Sequence, residues 1–383
     1  MTPIPAATRE AFKLFASHYG GRATMAASAP GRVNLIGEHT DYNGGPVLPL
    51  GLKVRTTVAA RQDEGWEFVA DLEPSLVRLD PAEPMRQSWT DYLVGVIRVL
   101  RSMDAAPGGA RVAVASTVPV GAGLSSSAAL CVSAVKCLSQ LAGRRLTKAE
   151  IAEAAYRAEH DEVGVKCGRM DQTVSTFAKS GSALLFETGT GSIDLVPMSA
   201  KVWIMETGVT HKLTGGEFNQ RRRECEEALA ILREHRFEIT ALADLPANRL
   251  DEALTVLPPS LKKRVRHVVT ETARTRLAAN MLMRRDLAAF GRILVEGHES
   301  LRQDFQSTVP EADFLVNTAV RLGAYGARLT GGGWGGAVLM LLPPEKEQRI
   351  AAEVGSAFEQ EYGRAPVTWW SRASSGVRRE PVS

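Results

Sequence analysis

The stretch Pro119-Val120-Gly121-Ala122-Gly123-Leu124-Ser125-Ser126-Ser127 lies between an alternating segment, Arg111 to Thr117, and a run of small and apolar residues ending near Gly143. Alternation predicts a strand and the small-residue run a helix, so the chain here reads strand, glycine turn, helix. Unpaired N–H groups and the dipole at such a helix start favour an anion, and glycine lets the main chain approach it closely. Phosphate is the natural guest. The serine hydroxyls are suited to capping amides, bonding phosphate oxygens or ligating magnesium. Serine is also a routine cap and glycine a routine turn residue, so taken alone the stretch leaves an ordinary helix start open. It lacks the G-x-x-x-x-G-K-[ST] of a Walker loop, the third glycine of the dinucleotide fingerprint and the G-x-S-x-G of a nucleophile elbow.

Outward from that turn, strands and helices are mixed. Toward the amino terminus the sequence predicts a helix over Thr8 to Tyr19, then Thr24 to Val33 running into the polar loop Gly37 to Gly45. Strands at Leu52 to Ala60, Trp66 to Asp71 and Leu76 to Leu79 suggest a mostly antiparallel sheet. Trp89, Leu93, Val96, Ile97 and Leu100 carry helical spacing. Toward the carboxyl terminus come a helix from Lys148 to about Val163, the turn Lys166 to Asp171, a helix through Phe177 and a strand at Ala183 to Phe186. The soft stretch Thr188 to Ser192 marks a domain change, giving lobes of 1–190 and 191–383. The second half predicts a strand at Val202 to Met205, helices over Glu217–His235, Lys262–Met283, Asp286–His298 and Glu311–Leu322, then Ala327 to Thr330. A glycine-rich turn, Gly331 to Gly336, leads to strand Ala337 to Leu342, helix Glu347 to Tyr362 and a strand near Val367 to Trp370. Without regular strand–helix alternation, the class is α+β.

Composition sets the bounds. At 383 residues, 44% hydrophobic and 23% charged, the chain has the profile of a soluble globular protein of about two domains. Forty-six basic against 43 acidic residues leave a net charge of +3, which does not force a nucleic-acid surface. The basic runs Arg221-Arg222-Arg223 and Lys262-Lys263-Arg264 read as solvated helix faces, the first offset by Glu224, Glu226 and Glu227. The four cysteines have neither zinc spacing nor the density of a disulfide scaffold, which fits a reducing cytoplasm. No apolar run reaches the length of a membrane span.

Ala29-Pro30-Gly31-Arg32-Val33-Asn34-Leu35-Ile36-Gly37-Glu38-His39-Thr40-Asp41-Tyr42-Asn43-Gly44-Gly45 resembles the signature of the galactokinase family, within the superfamily that includes homoserine, mevalonate and phosphomevalonate kinases. Pro119 to Leu130 resembles the ATP-binding second motif of that superfamily and Leu329 to Gly336 its third. Cys167 to Gln172 is similar to the segment carrying the catalytic aspartate. The similarity extends from about Phe12 to near Val377. It implies a two-lobed α+β kinase with a ribosomal-protein-S5-like amino-terminal lobe and a ferredoxin-like carboxyl-terminal lobe. It further implies ATP-dependent phosphorylation of the anomeric hydroxyl of D-galactose, by a cytoplasmic monomer whose partners are a sugar, ATP and magnesium, with neither nucleic acid nor membrane.

Under this resemblance Asp171 is the base and Arg32 holds both Asp171 and the migrating phosphoryl group. A guanidinium beside a carboxylate favours its ionised form and weakens it as a base, so Asp171 is expected to orient the hydroxyl as much as deprotonate it. Ser127 and Glu159 are implied magnesium ligands; without the resemblance, Glu159 reads as part of a solvated helix face. Trp89 is implied beside adenine, with Gly121, Gly123, Ser125, Ser126 and Ser127 around the phosphates. Glu38 and His39 are implied near the sugar 6-hydroxyl, Asp41 near the 3- and 4-hydroxyls, and Gly168 against the ring. Three departures bear on the sugar. Phe218 stands where the family usually has a sugar-bonding tyrosine, Arg169 replaces an apolar residue, and Glu187-Thr188-Gly189 replaces a different polar stretch. Arg169 raises galacturonate as an alternative substrate, which Glu38 opposes by charge; N-acetylgalactosamine, arabinose and a catalytically silent sugar and ATP sensor are the others.

Overall fold

The structure is a computed structural model that describes residues 5–209 and 216–382. Its strands are β1 Met25–Asn34, β2 Pro46–Val47, β3 Pro49–Gln62, β4 Trp66–Ala70, β5 Val77–Arg78, β6 Ala110–Ser116, β7 Ser182–Glu187, β8 Ser192–Pro197, β9 Val202–Glu206, β10 Gly326–Thr330, β11 Ala337–Leu341, β12 Thr368–Ser371 and β13 Arg378–Arg379. The helices are α1 Ala6–Tyr19, α2 Thr90–Ser102, α3 Ser126–Leu141, α4 Lys148–Arg157, α5 Met170–Phe177, α6 Gly216–Glu234, α7 Leu250–Thr255, α8 Pro259–Met283, α9 Leu287–Ser300, α10 Pro310–Arg321 and α11 Glu347–Tyr362.

Alternation along the strands decides how the first sheet, ordered β13-β1-β3-β6-β4-β5, is covered. Val112 and Val114 of β6 face α2 and α3, while Ala113 and Ala115 face Phe15 of α1. Small residues on the second face let α1 lie close. All pairings are antiparallel except β4 with β6. A second sheet, β10-β11-β9-β12, presents Leu329, Val338 and Met340 to α8, α10 and α11, and turns Ala337, Leu339 and Leu341 the other way. That other face packs with Phe290 and Leu294 of α9 and with Val33, Leu35, Ile36, Leu48 and Leu50. One apolar core therefore joins the segment around the first motif to the strands flanking the third.

Two features differ from the sequence expectation. Ser192–Pro197 is a strand paired with β7, so a boundary at 190 falls inside a hairpin. The chain end also returns to the first sheet, with Ala27 of β1 opposite Arg379. Buried Arg55 donates to the carbonyls of Ser375 and Gly376, and Ser28 donates to Glu380 at 2.5 Å. Neither could be read from pattern: β13 has two residues, both arginine, and its partner is about 350 positions away.

Candidate active site

Three loops and one helix start converge. Arg32, just past a register shift in β1, donates its backbone N–H to Leu124 O at 3.0 Å, clamping the first motif to the second. Its guanidinium grips Asp171 with two bonds, Nε to Oδ1 at 2.7 Å and Nη2 to Oδ2 at 3.0 Å, and Nη1 donates to Gly123 O at 2.5 Å. Two parallel bonds fix direction as well as distance. The third loop closes over the second: a Cβ at Gly331, whose φ is +90°, would lie 3.2 Å from Gly123 O.

Ser125 departs from its expected use. It precedes α3 in the left-handed region, φ +60°, makes no side-chain cap and donates its hydroxyl to Asp171 Oδ2 at 2.6 Å. A non-glycine residue held in that region is a strain the surroundings must impose. Asp171, in the first turn of α5, thus accepts from Arg32 and Ser125 together.

Glu159 is not on a solvated helix face. The helix expected to reach Val163 stops at Arg157, and Ala158–Glu162 winds as a single π-turn that buries Glu159 to 4% exposure. Such turns rotate a side chain out of register with the preceding helix and are frequent at functional sites. Glu159 accepts from Ser127 Oγ at 2.6 Å and from Gln172 Nε2 at 2.7 Å. Burial pushes its carboxyl up to about 7, against those two bonds and with added repulsion from Asp171. A hydroxyl and a buried carboxylate, both hard oxygens, suit magnesium, and a dication supplies the counter-charge that burial withholds. Neighbouring His160 bonds Asp161 at 2.9 Å and stacks on Tyr156.

In the loop of the first motif, Asp41 lies beside Gly168 so closely that a Cβ there would fall 1.8 Å from Oδ2. Only glycine fits. Burial raises the Asp41 carboxyl to about 6, helped by the charge of Asp171. His39 is 5% exposed, stacks on Phe305 at 4.1 Å between ring centres and bonds Tyr42 Oη through Nδ1 at 2.9 Å. Its buried Nε2 has no partner among the described residues. Phe218 stands 5.7 Å from both His39 and Tyr42, so the position does face this pocket, without a hydroxyl. Glu38 is buried and ion-paired to Arg328.

Arg169 points elsewhere. It pairs with Glu153 and lies over the Tyr156 ring at 4.2 Å. Glu187 is held by Arg276 through two bonds of 3.0 and 2.9 Å, and Thr188 Oγ1 donates to the Asp41 carbonyl at 2.9 Å. Trp89 precedes α2 and packs in part against the first-lobe core, and Gly121 and Ser126 lie in the exposed to half-buried loop around the start of α3. Within the basic runs Arg222 pairs with Glu226, while Arg264 is buried against Glu224 and so does not lie on the solvated helix face expected of it. Sequence reasoning missed Gln172, Glu271, His267, Phe305 and Arg328. The available signals were a lone arginine in the apolar strand Gly326–Thr330 and a glutamate on the stripe Val268, Thr275, Ala278 of α8.

A glycine-rich helix start, an Arg–Asp pair and a buried carboxylate bonded to a serine hydroxyl on a mixed α+β scaffold are the arrangement of a small-molecule kinase. Models described as GHMP kinases N terminal domain and GHMP kinases C terminal match residues 91–179 and 278–360, and one described as the galactokinase galactose-binding signature matches 13–62. Galactokinases of Roseiflexus sp. and Homo sapiens are 38% and 37% identical, covering 97% and 96% of this chain and 97% and 95% of theirs. The crystal structure of Lactococcus lactis galactokinase complexed with galactose superposes with a TM-score of 0.91 at 29% identity, covering 97% of this chain and 99% of that one. Mevalonate kinase, at 19% identity and a TM-score of 0.65, shares the fold. The chain belongs to the galactokinase family.

Proposed function

We propose that the protein transfers the terminal phosphoryl group of ATP to the anomeric hydroxyl of D-galactose, giving galactose 1-phosphate and ADP. The observation that carries this reading is the Asp171 carboxylate, gripped by two Arg32 bonds and one Ser125 bond beside the Ser127 and Glu159 oxygens. Phosphoryl transfer passes through a loose transition state, so positioning and charge stabilisation do most of the work. Asp171 orients the anomeric hydroxyl and accepts its proton as the oxygen bonds phosphorus and the bond to the ADP oxygen breaks. Arg32 offsets charge on the transferring group. Ser127 and Glu159 would hold magnesium, which would screen phosphate charge when bound with the nucleotide. Gly121, Gly123 and Ser126 line the phosphate loop and Trp89 flanks adenine. The amino-terminal lobe contributes the first two motifs and the carboxyl-terminal lobe the third, with the division near the β7–β8 hairpin rather than within it.

For the sugar, Asp41 takes the 3- and 4-hydroxyls, Glu38 and the unpartnered His39 Nε2 the 6-hydroxyl, and the Gly168 backbone the ring. Galactose is favoured over galacturonate because Arg169 is spent on Glu153 and Tyr156, leaving Glu38 to face the sugar's C6. A coupled ADP-release assay across galactose, N-acetylgalactosamine, arabinose and galacturonate tests this. The expected result is the highest kcat/KM for galactose, and no detectable turnover by an Asp171→Ala variant that still melts cooperatively. A preference for galacturonate, or near-normal turnover by the variant, overturns it.

A further inference from the structure

Glu38 is held in a charged cluster whose other members the proposed reaction does not touch. Arg328 of β10 is fully buried between two carboxylates, ion-paired to Glu38 and bonded through Nη1 to Glu271 Oε1 at 2.8 Å. Glu271, also fully buried, accepts the backbone N–H of Gly37 on the same oxygen at 3.1 Å, and its Oε2 accepts from Arg274 at 2.8 Å. Glu38 Oε1 accepts the N–H of Gly331 at 3.4 Å, and His267 Nε2 lies 3.1 Å from the Glu38 carbonyl. The Gly37–Glu38 segment is therefore held by its peptide N–H, its carbonyl and its side chain at once. The holders come from α8 and from β10 with its following turn.

Burying this many charges is costly unless every one is paired, and the same volume filled with apolar side chains would hold the lobes together equally well. Stability alone does not call for it. What the cluster does that an apolar core would not is fix the Glu38 carboxylate in one direction. Burial would keep Glu271 protonated, yet Arg328 and Arg274 hold its carboxyl below the usual range, so Arg328 faces a true anion on that side.

We propose that Arg328, braced by Glu271, is a positioning residue for sugar recognition: it orients Glu38 toward the 6-hydroxyl and ties the sugar loop to the glycine-rich turn at Gly331. This rests on the galactose-kinase reading. Lysine keeps the charge but cannot bridge two carboxylates with a planar fork, and Gln at 271 keeps the acceptor for Gly37 while removing the anion.

The test measures kcat, KM for galactose, KM for ATP and the kcat/KM ratio of galactose to 6-deoxygalactose, in the unaltered chain, Arg328→Lys, Glu271→Gln and Glu38→Gln. For Arg328→Lys the expected result is a rise of about tenfold in galactose KM, with ATP KM within about twofold, because a misdirected buried polar group loses its substrate bond. The preference for galactose over 6-deoxygalactose should fall toward that of Glu38→Gln. Glu271→Gln should shift both in the same direction by a smaller factor, and it decides the matter if Arg328→Lys fails to melt cooperatively. A lowered melting temperature with unchanged galactose KM and unchanged preference overturns the proposal and leaves a structural cluster. An unaltered chain without turnover on galactose takes down the kinase reading and the proposal together.

Discussion

Ser125 shows how little separates a routine helix start from a working one. Its hydroxyl does not cap α3; it is turned onto Asp171 by a backbone angle that a serine seldom adopts. Glycine accepts that angle without penalty, so Ser125→Gly removes the hydroxyl and leaves the turn intact. The expected outcome is a fall of about tenfold in kcat with galactose KM nearly unchanged, because Asp171 loses one of the bonds that aim it. Steady-state kinetics beside a thermal melt checks this; unchanged kcat in a folded variant would mean that the Ser125 to Asp171 bond plays no part in turnover. Phe218 is the converse case. The missing hydroxyl costs one neutral bond, about 1 kcal/mol, which weakens or broadens sugar binding and leaves the reaction type untouched.

At the scale of elements, the long helices and the strands with clear alternation were legible, because each buries one face and its period says which. Glu347–Tyr362 is an example, whereas Ala337–Leu341 was legible as an unbroken apolar run, buried on both faces. What was not legible is where a helix stops being ideal. Nothing in Ala158-Glu159-His160-Asp161-Glu162 distinguishes a π-turn from more α-helix, since the turn is imposed by what packs on it. Gly95 of α2 is that neighbour: a Cβ there would lie 2.8 Å from the Ala158 carbonyl and 3.1 Å from Glu162 Cβ. Gly95→Ala gains helix propensity of about 1 kcal/mol and must push the π-turn away. The expected result is a weakened magnesium requirement site, read as an increase of about threefold or more in the magnesium concentration giving half-maximal rate, with galactose KM unchanged, since Glu159 moves and Asp41 does not. An unchanged magnesium titration would show that the turn tolerates the methyl group. Asp171, the proposed base, was legible only through its motif; Arg328 and Glu271 were not, because charged residues in apolar stripes pair across about 57 positions that no local period connects.

At the scale of the whole molecule, the site concentrates buried acid. Burial pushes Glu38 and Glu159 from an ordinary 4.5 up to about 7, and Asp41 from 3.8 to about 6, while Arg328 only partly opposes the shift in Glu38. Between the ordinary and the raised values the folded chain binds protons that the unfolded chain has lost, so stability falls as pH rises through that window. Buried His39 and His267 act the other way: burial lowers both, His267 to about 4, so the unfolded chain holds the extra proton below 6.5 and stability there rises with pH. Above about 6.5 the histidine contribution ends and the carboxyl contribution continues to about 7 and slightly beyond. The unliganded protein is therefore expected to melt at a lower temperature at pH 8 than at pH 6.5 under constant ionic strength, and Glu159→Gln should flatten the decline by removing one of the three acids. A melting temperature that rises across this range would show that these carboxyls are already ionised at neutral pH. Their charge would then be met by the arginines alone, with no counter-charge left for a bound cation to supply.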